Sequence, residues 1–215
     1  MNKIVFLLCL CSYALFGQVY HFDFVTRYVH EKDKLPFGPV IYTHGTHMHY
    51  ILQVFYNRND ELRAIIYDEA TKVRHHFSVD LQKNGSSEEL VFHYEDSRKM
   101  SQSSPYSKHE FEFMETPIDS NRTQVLITTY QNKKRKRPFR TYHLEVIPFA
   151  TNRFNHFRNT LHHVYESNPN FNPKKNWLVV AFHTVNAEGK TFRMVLAEYQ
   201  KVNITIKIDS LKWEM

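Results

Sequence analysis

Three histidines, His44, His47 and His49, fall within six positions of the stretch HGTHMHY at residues 44 to 50. Imidazole nitrogens are good ligands for zinc and similar metals. On a strand, alternate side chains point to the same side about 6.8 Å apart along the backbone. His47 and His49 have that spacing, and His44, in a loop with Gly45, can fold back towards them. These three form the candidate metal site.

Other chemistry is sparse. A helix that holds zinc places two histidines four residues apart, and no such pair occurs in the helical segment described below. His156 and His163 share a helical face but lie two turns, about 10 Å, apart. Without Gly17 the chain has only Gly38, Gly45, Gly85 and Gly189, too few for a phosphate-cradling loop, and there is no Gly-x-Ser-x-Gly elbow. Nucleotide chemistry is therefore not expected, and no cofactor is implied. Glu110 and Glu112 alternate with Phe111 and Phe113, which describes the solvent side of a strand better than an acid and base pair. Convergent arrangements of Ser, His and Asp stay open, because all three residue types are plentiful and triads are assembled in space.

The run NKKRKRPFR, residues 132 to 140, concentrates positive charge at Lys133, Lys134, Arg135, Lys136 and Arg137 in a chain of net charge +6. Flanked by two strand-like segments, it reads as a hairpin tip with solvated charges, and its alternative role is contact with an anionic envelope surface. A nucleic-acid partner is not expected, given the opening of the chain. MNKIVFLLCLCSYALFGQ has a cationic start, an apolar stretch from Ile4 to Leu10 and small residues at Ala14 and Gly17. This is the layout of a cleaved secretory signal over residues 1–17, too short for a membrane anchor of about 20 apolar residues. The product would be secreted or periplasmic, with no transmembrane segment. Cys9 and Cys11 are the only cysteines and leave with the signal, so residues 18–215 form a single β-rich domain without thiol or disulfide.

The elements that must position these residues are mostly strands. The chain has 17 Phe and 13 Tyr, and apolar residues alternate with polar ones. Val73, His75, Phe77, Val79 and Leu81 share one face of the clearest case. Further strands are expected at residues 19–29, 49–56, 62–67, 90–94, 110–114, 124–130, 141–147, 177–184, 191–199 and 202–208. Turns fall at Asn57 to Asp60, Asn84 to Ser86 and Ala187 to Gly189. Phe154, Phe157, Leu161 and Val164 recur at helical spacing behind a cap at Asn152 or Thr151, which predicts one amphipathic helix over about residues 154–166.

Matching the apolar faces of neighbouring strands sets Leu52 opposite Ile66, Val54 opposite Ala64 and His75 beside Ile66. That register leaves His75 and His76 roughly 10 to 17 Å along the sheet from His47 and His49, too far to complete their site. His75 sits on a core face, either hydrogen-bonded to a tyrosine or backbone group or facing a ligand. The fold class is mainly β: a curved antiparallel sheet or half-barrel with one accessory helix. An apolar ligand would lie on its concave face, against Tyr50, Leu52, Val54, His75 and Phe77.

The opening MNKIVFLL…FGQVYHFDF and the segment HMHYILQVFYNRNDELRAIIYDEATKVRHHFSV resemble uncharacterised secreted proteins of Bacteroidetes. The likeness covers the first half of the mature chain and carries no assigned activity. HGTHMHY replaces the small polar residues that usually precede the equivalent strand. In outline the expected fold is similar to periplasmic lipoprotein-carrier half-barrels. Aromatic residues on both strand faces, together with one amphipathic helix, lead to the reading of an exported envelope or secreted binding protein, holding an apolar or lipid-like ligand. Two other readings stand beside it: a non-enzymatic interaction or scaffold protein of the cell envelope, and a histidine-dependent metal-binding protein.

Overall fold

The computed structural model describes residues 17–213 except 33, 48, 86, 101–107, 133, 135, 136, 162–167, 169 and 186–190. The proposed signal sequence lies outside the described residues apart from Gly17. The described residues form eleven strands: β1 (Gln18–His30), β2 (Pro36–Thr43), β3 (Tyr50–Tyr56), β4 (Leu62–Asp68), β5 (Val73–Asn84), β6 (Ser87–Lys99), β7 (Glu110–Pro117), β8 (Thr123–Tyr130), β9 (Pro138–Pro148), β10 (Trp177–Val185) and β11 (Thr191–Ile208). Among the described residues there is one helix, α1 (Phe154–Leu161), which precedes β10. Their pairing order is β6-β5-β4-β3-β2-β1-β11-β10-β9-β8-β7.

This order corrects the half-barrel expectation. The sheet is open, with β6 and β7 as its two edges. Alternation along strands reports which residues share a face. It says nothing about how far successive strands rotate, so curvature was not contained in that pattern.

Three local differences have physical reasons. β2 was not expected, because Pro36, Gly38 and Pro39 are residues that usually mark breaks. Segments 191–199 and 202–208 form one strand, since Gln200 and Lys201 are exposed strand residues and contain no breaker. α1 is described only as far as Leu161, and residues 162–166 of the expected helix lie outside the described residues. The Asn152 side chain accepts a 2.9 Å hydrogen bond from the Phe154 amide and so satisfies one of the donors a helix start leaves unpaired.

The chain divides into two compact units. The first comprises Met1–Phe24, Tyr42–Met100 and Lys201–Met215. In it β3, β4, β5 and β6 form successive antiparallel pairs, with Leu52 opposite Ile66, Ile66 opposite His75 and His75 opposite Ser97. The first three residues of this row stand in the register that the apolar faces predicted. Leu52, Ile66, His75 and Ser97 are all fully buried. The β5–β6 hairpin turns at Gly85, whose φ of +65° suits a residue without a β-carbon.

The second unit comprises Val25–Ile41 and Ser101–Gln200. Its core is built on Tyr28, Ile127, Tyr142, Leu144, Phe154, Phe157, Phe171, Trp177 and Phe182, among others. Phe154 and Phe157 of α1 are completely buried, which accounts for their helical spacing. The same helix also buries Asn155, His156, Asn159 and Thr160. Thr26 is hydrogen-bonded to His156 Nδ1, and burial together with Arg153 holds the His156 pKa down at about 3. Gly38, at φ +69°, brings β2 against α1, where an added β-carbon would lie 3.1 Å from the Thr160 carbonyl oxygen.

Candidate functional site

Residues 44–47 form a bend between β2 and β3. His44 Nδ1 accepts hydrogen bonds from the Thr46 and His47 amides, both at 3.1 Å, so this imidazole acts as a side-chain cap for the loop. The ring centroids of His44 and His47 are 4.7 Å apart, and those of His47 and His49 are 5.8 Å apart. His47 and His49 are exposed. Thus the rings sit near one another in a row. Among the described residues, however, no group of three or more His, Cys, Asp or Glu side chains is placed to hold a metal ion.

Tyr50, Leu52, Val54, His75 and Phe77 do gather in one region, but as core. Each is at most 7% exposed. The Tyr50 ring packs edge-on against Tyr20 at 5.1 Å and Phe22 at 5.5 Å.

His75 is the exception in chemical character. Its Nε2 lies 2.9 Å from Tyr20 Oη and its Nδ1 lies 2.7 Å from Ser97 Oγ. Tyr20 Oη in turn donates to Asp68 Oδ2 at 3.2 Å, and Ser97 Oγ is 2.7 Å from Tyr94 Oη. Burial holds the His75 pKa down at about 4, despite an opposing pull from Asp68, so the ring is neutral. Burial, then the Asp68 carboxylate, pushes the Tyr20 phenol far above its ordinary value, so it stays protonated.

These facts set the direction of the chain. Asp68 Oδ2 and the Gln18 side-chain oxygen, 3.0 Å from Tyr20 Oη, only accept, so the single Tyr20 hydroxyl proton goes to one of these two. Tyr20 Oη then accepts from His75 Nε2–H, which leaves Nδ1 as the acceptor for the Ser97 hydroxyl. The result is a path Ser97 → His75 → Tyr20 whose protons point towards Tyr20, and Tyr20 in turn donates to the acceptors Asp68 Oδ2 and Gln18 Oε1 that share its proton. Asp68 Oδ1 meanwhile accepts the Ala70 and Thr71 amides at 2.9 and 3.1 Å, which fixes the carboxylate at the β4–β5 turn.

A β-bulge places the serine end. His76 pairs with Asp96 whereas Phe77 pairs with Tyr94, so Glu95 is the extra residue in β6. Strict alternation would send Tyr94 and Ser97, three positions apart, to opposite faces. The extra residue restores both to the inner face, where their hydroxyls meet. His75 was legible as a core-facing histidine, but Ser97, Tyr94, Tyr20 and Asp68 were not singled out. The bulge turns Ser97 and Tyr94 to it, Asp68 stands two residues from Ile66 on β4, and Tyr20 reaches it from β1.

A second feature lies in the other unit. A groove of about 580 Å³ is lined by Phe113 and Glu115 of β7, Trp177 of β10 and the intervening loop with Asn172, Lys174 and Lys175. Lys175 is ion-paired with Glu115 and stands 5.7 Å from the Trp177 ring centroid. Phe111 stacks on Phe171 at 4.7 Å, holding the loop against β7. None of these residues was predicted as a site, because the loop Asn170-Phe171-Asn172-Pro173 carries no motif.

The strands that flank the basic run, β8 and β9, pair antiparallel. Tyr130 pairs with Pro138 and Thr129 with Arg140. Lys134 and Arg137 are exposed, while Lys133, Arg135 and Lys136 lie outside the described residues. Among the described residues no helix is long and apolar enough to cross a membrane.

Fold and sites together define a β-sheet protein with one short helix among the described residues, a buried Ser-His-Tyr-Asp path in its first unit and an open groove in its second. No protein-family model matches the chain, and no curated protein does either.

Proposed function

We propose that the protein is an exported binding protein of the cell envelope or secreted fraction, taking an apolar or lipid-like ligand with an anionic head in the groove of its second unit. The composition of that groove carries the reading. Phe113, Pro173 and Trp177 contribute apolar surface, and Lys174 adds a cation at an exposed position. Trp177 is only 4% exposed and offers an edge, so Phe113 is the larger contact. Burying a ligand's hydrocarbon contributes roughly 25 cal/mol per Å², and a few placed polar groups fix its orientation. Export rests on the opening residues of the chain.

The test is displacement of a fluorescent fatty acid, with Phe113→Ala and Lys174→Glu compared with the unaltered chain. Saturable binding that weakens in both variants is expected. No saturable binding by the unaltered protein would remove the ligand from the proposal. N-terminal sequencing of the exported product should begin near Gln18, and a product retaining Met1 would remove export.

Exposure of Lys134 and Arg137 between β8 and β9 also supports contact with an anionic surface. Co-sedimentation with anionic vesicles should fall when Lys133 to Arg137 are replaced by neutral residues. Equal sedimentation of both forms would exclude that contact.

A further inference from the structure

The Ser97 end of the buried path is covered by the chain's own C-terminal segment. Ser97 N donates to the Lys212 carbonyl oxygen at 2.6 Å, and Ser97 forms an isolated parallel bridge with Trp213. Tyr94 Oη accepts from Lys212 N at 2.9 Å and lies 3.3 Å from the same carbonyl oxygen. A backbone carbonyl therefore sits between the amide of a serine and a tyrosine hydroxyl, and that serine's Oγ is hydrogen-bonded to a neutral histidine.

These are the parts of an acyl-transfer site. A nucleophile touches a base, the base is oriented by a third group, and the nucleophile's own amide donates to a carbonyl oxygen. The covering segment is held mainly by hydrogen bonds. Leu211 and Trp213 keep 39% and 49% of their surface in solvent, so little apolar burial ties them down. The segment can therefore be displaced. Without it, Tyr94 Oη loses its Lys212 partners and becomes free to move away from Ser97.

We propose that Ser97 and His75 are a nucleophile and base for acyl transfer, masked by the C-terminal segment, whose Lys212 carbonyl occupies the position of a substrate carbonyl. The substrate class is an ester or amide carbonyl on an extended, peptide-like backbone, which can pair with the β6 edge as Lys212 does. His75 Nδ1 takes the hydroxyl proton as Ser97 Oγ bonds to the carbonyl carbon. Collapse breaks the bond to the leaving group, which receives the proton from His75, and leaves an acyl-serine. Water, deprotonated by the same nitrogen, then releases the acid and restores Ser97. Tyr20 and Asp68 are positioning residues that fix the imidazole tautomer. This site is independent of the groove and does not rest on it.

The test is labelling by a fluorophosphonate, in which Ser97 Oγ bonds to phosphorus and fluoride leaves. Full-length Lys212→Pro removes the amide that Tyr94 holds, and a triple variant with Leu211→Gly and Trp213→Gly added loosens the segment further. Peptide mapping should place the label on Ser97, at least about tenfold faster in these variants than in the unaltered chain. Adding His75→Ala should slow labelling by about a hundredfold or more. Tyr20→Phe should move the midpoint of the pH profile of labelling, which a merely structural tyrosine would leave in place. Folding of each variant is read from its melting transition. If the folded variants are not labelled at Ser97, the proposal is overturned. Should neither variant fold, prolonged labelling of the unaltered chain decides, with label on Ser97 supporting the site and its absence overturning it.

Discussion

His75 Nδ1 and Ser97 Oγ stand 2.7 Å apart across the β5–β6 pair, and neither residue has measurable solvent exposure. In such a place a hydrogen bond is costly to leave half made. Ser97→Ala removes the donor to the imidazole and one neighbour of Tyr94 Oη. Stability should fall by about 1–3 kcal/mol, read as a lower urea midpoint with an unchanged denaturant slope. A variant as stable as the parent would mean that the imidazole finds another donor.

Two buried histidines make the fold acid-sensitive. His75 and His156 have pKa values held down at about 4 and about 3, against about 6.5 in an unfolded chain. Between those limits the unfolded state binds protons that the folded state refuses. Stability therefore rises with pH: the contribution is complete above about pH 6.5 and is lost as the pH falls towards 4 and then 3. Each histidine adds a slope of up to about 1.4 kcal/mol per pH unit. Denaturant titrations between pH 7 and 4.5 should show this slope. His75→Gln, which cannot titrate, should flatten it even if it lowers stability overall.

Gly38 and Gly85 allow a conformational cost to be separated from a steric one. Both have positive φ, but an added β-carbon at Gly38 meets Thr160 at 3.1 and 3.2 Å, while at Gly85 nothing lies within 4 Å. Gly85→Ala should cost about 1 kcal/mol, the penalty for a left-handed alanine. Gly38→Ala should cost more, because α1 must also shift. Equal losses in thermal unfolding would show that α1 gives way freely.

For the histidine stretch the structure predicts an asymmetry. His44 caps two amides, whereas His47 and His49 are exposed. His44→Ala should lower stability by about 0.5–1 kcal/mol, and the same change at His47 or His49 should have little effect. Comparable losses at all three positions would count against the cap.

Some of this was legible in the sequence. The row Leu52, Ile66 and His75 followed from matching apolar faces, because a buried face tolerates only one register. The helix followed from Phe154 and Phe157. Ser97 did not follow, because alternation is a local rule and a bulge is read only from how two strands pair. Asp68 and Tyr20 meet His75 from other strands, at sequence separations of 7 and 55, and nothing near them marks the encounter. The groove was hidden for a related reason: its floor comes from β7 and β10, and its rim from an irregular loop. HGTHMHY drew notice through composition, and its first histidine is used to close a turn.

The extra residue in β6 makes the inner surface of the first unit depend on chain length as well as on side-chain identity. Loss of Glu95 alone would remove no group from the buried path. It would return β6 to an unbroken two-residue rhythm and oblige either Tyr94 or Ser97 to face outward. A one-codon deletion is thus the genetic lesion to which this arrangement is most vulnerable, and one that a scan of substitutions would never sample.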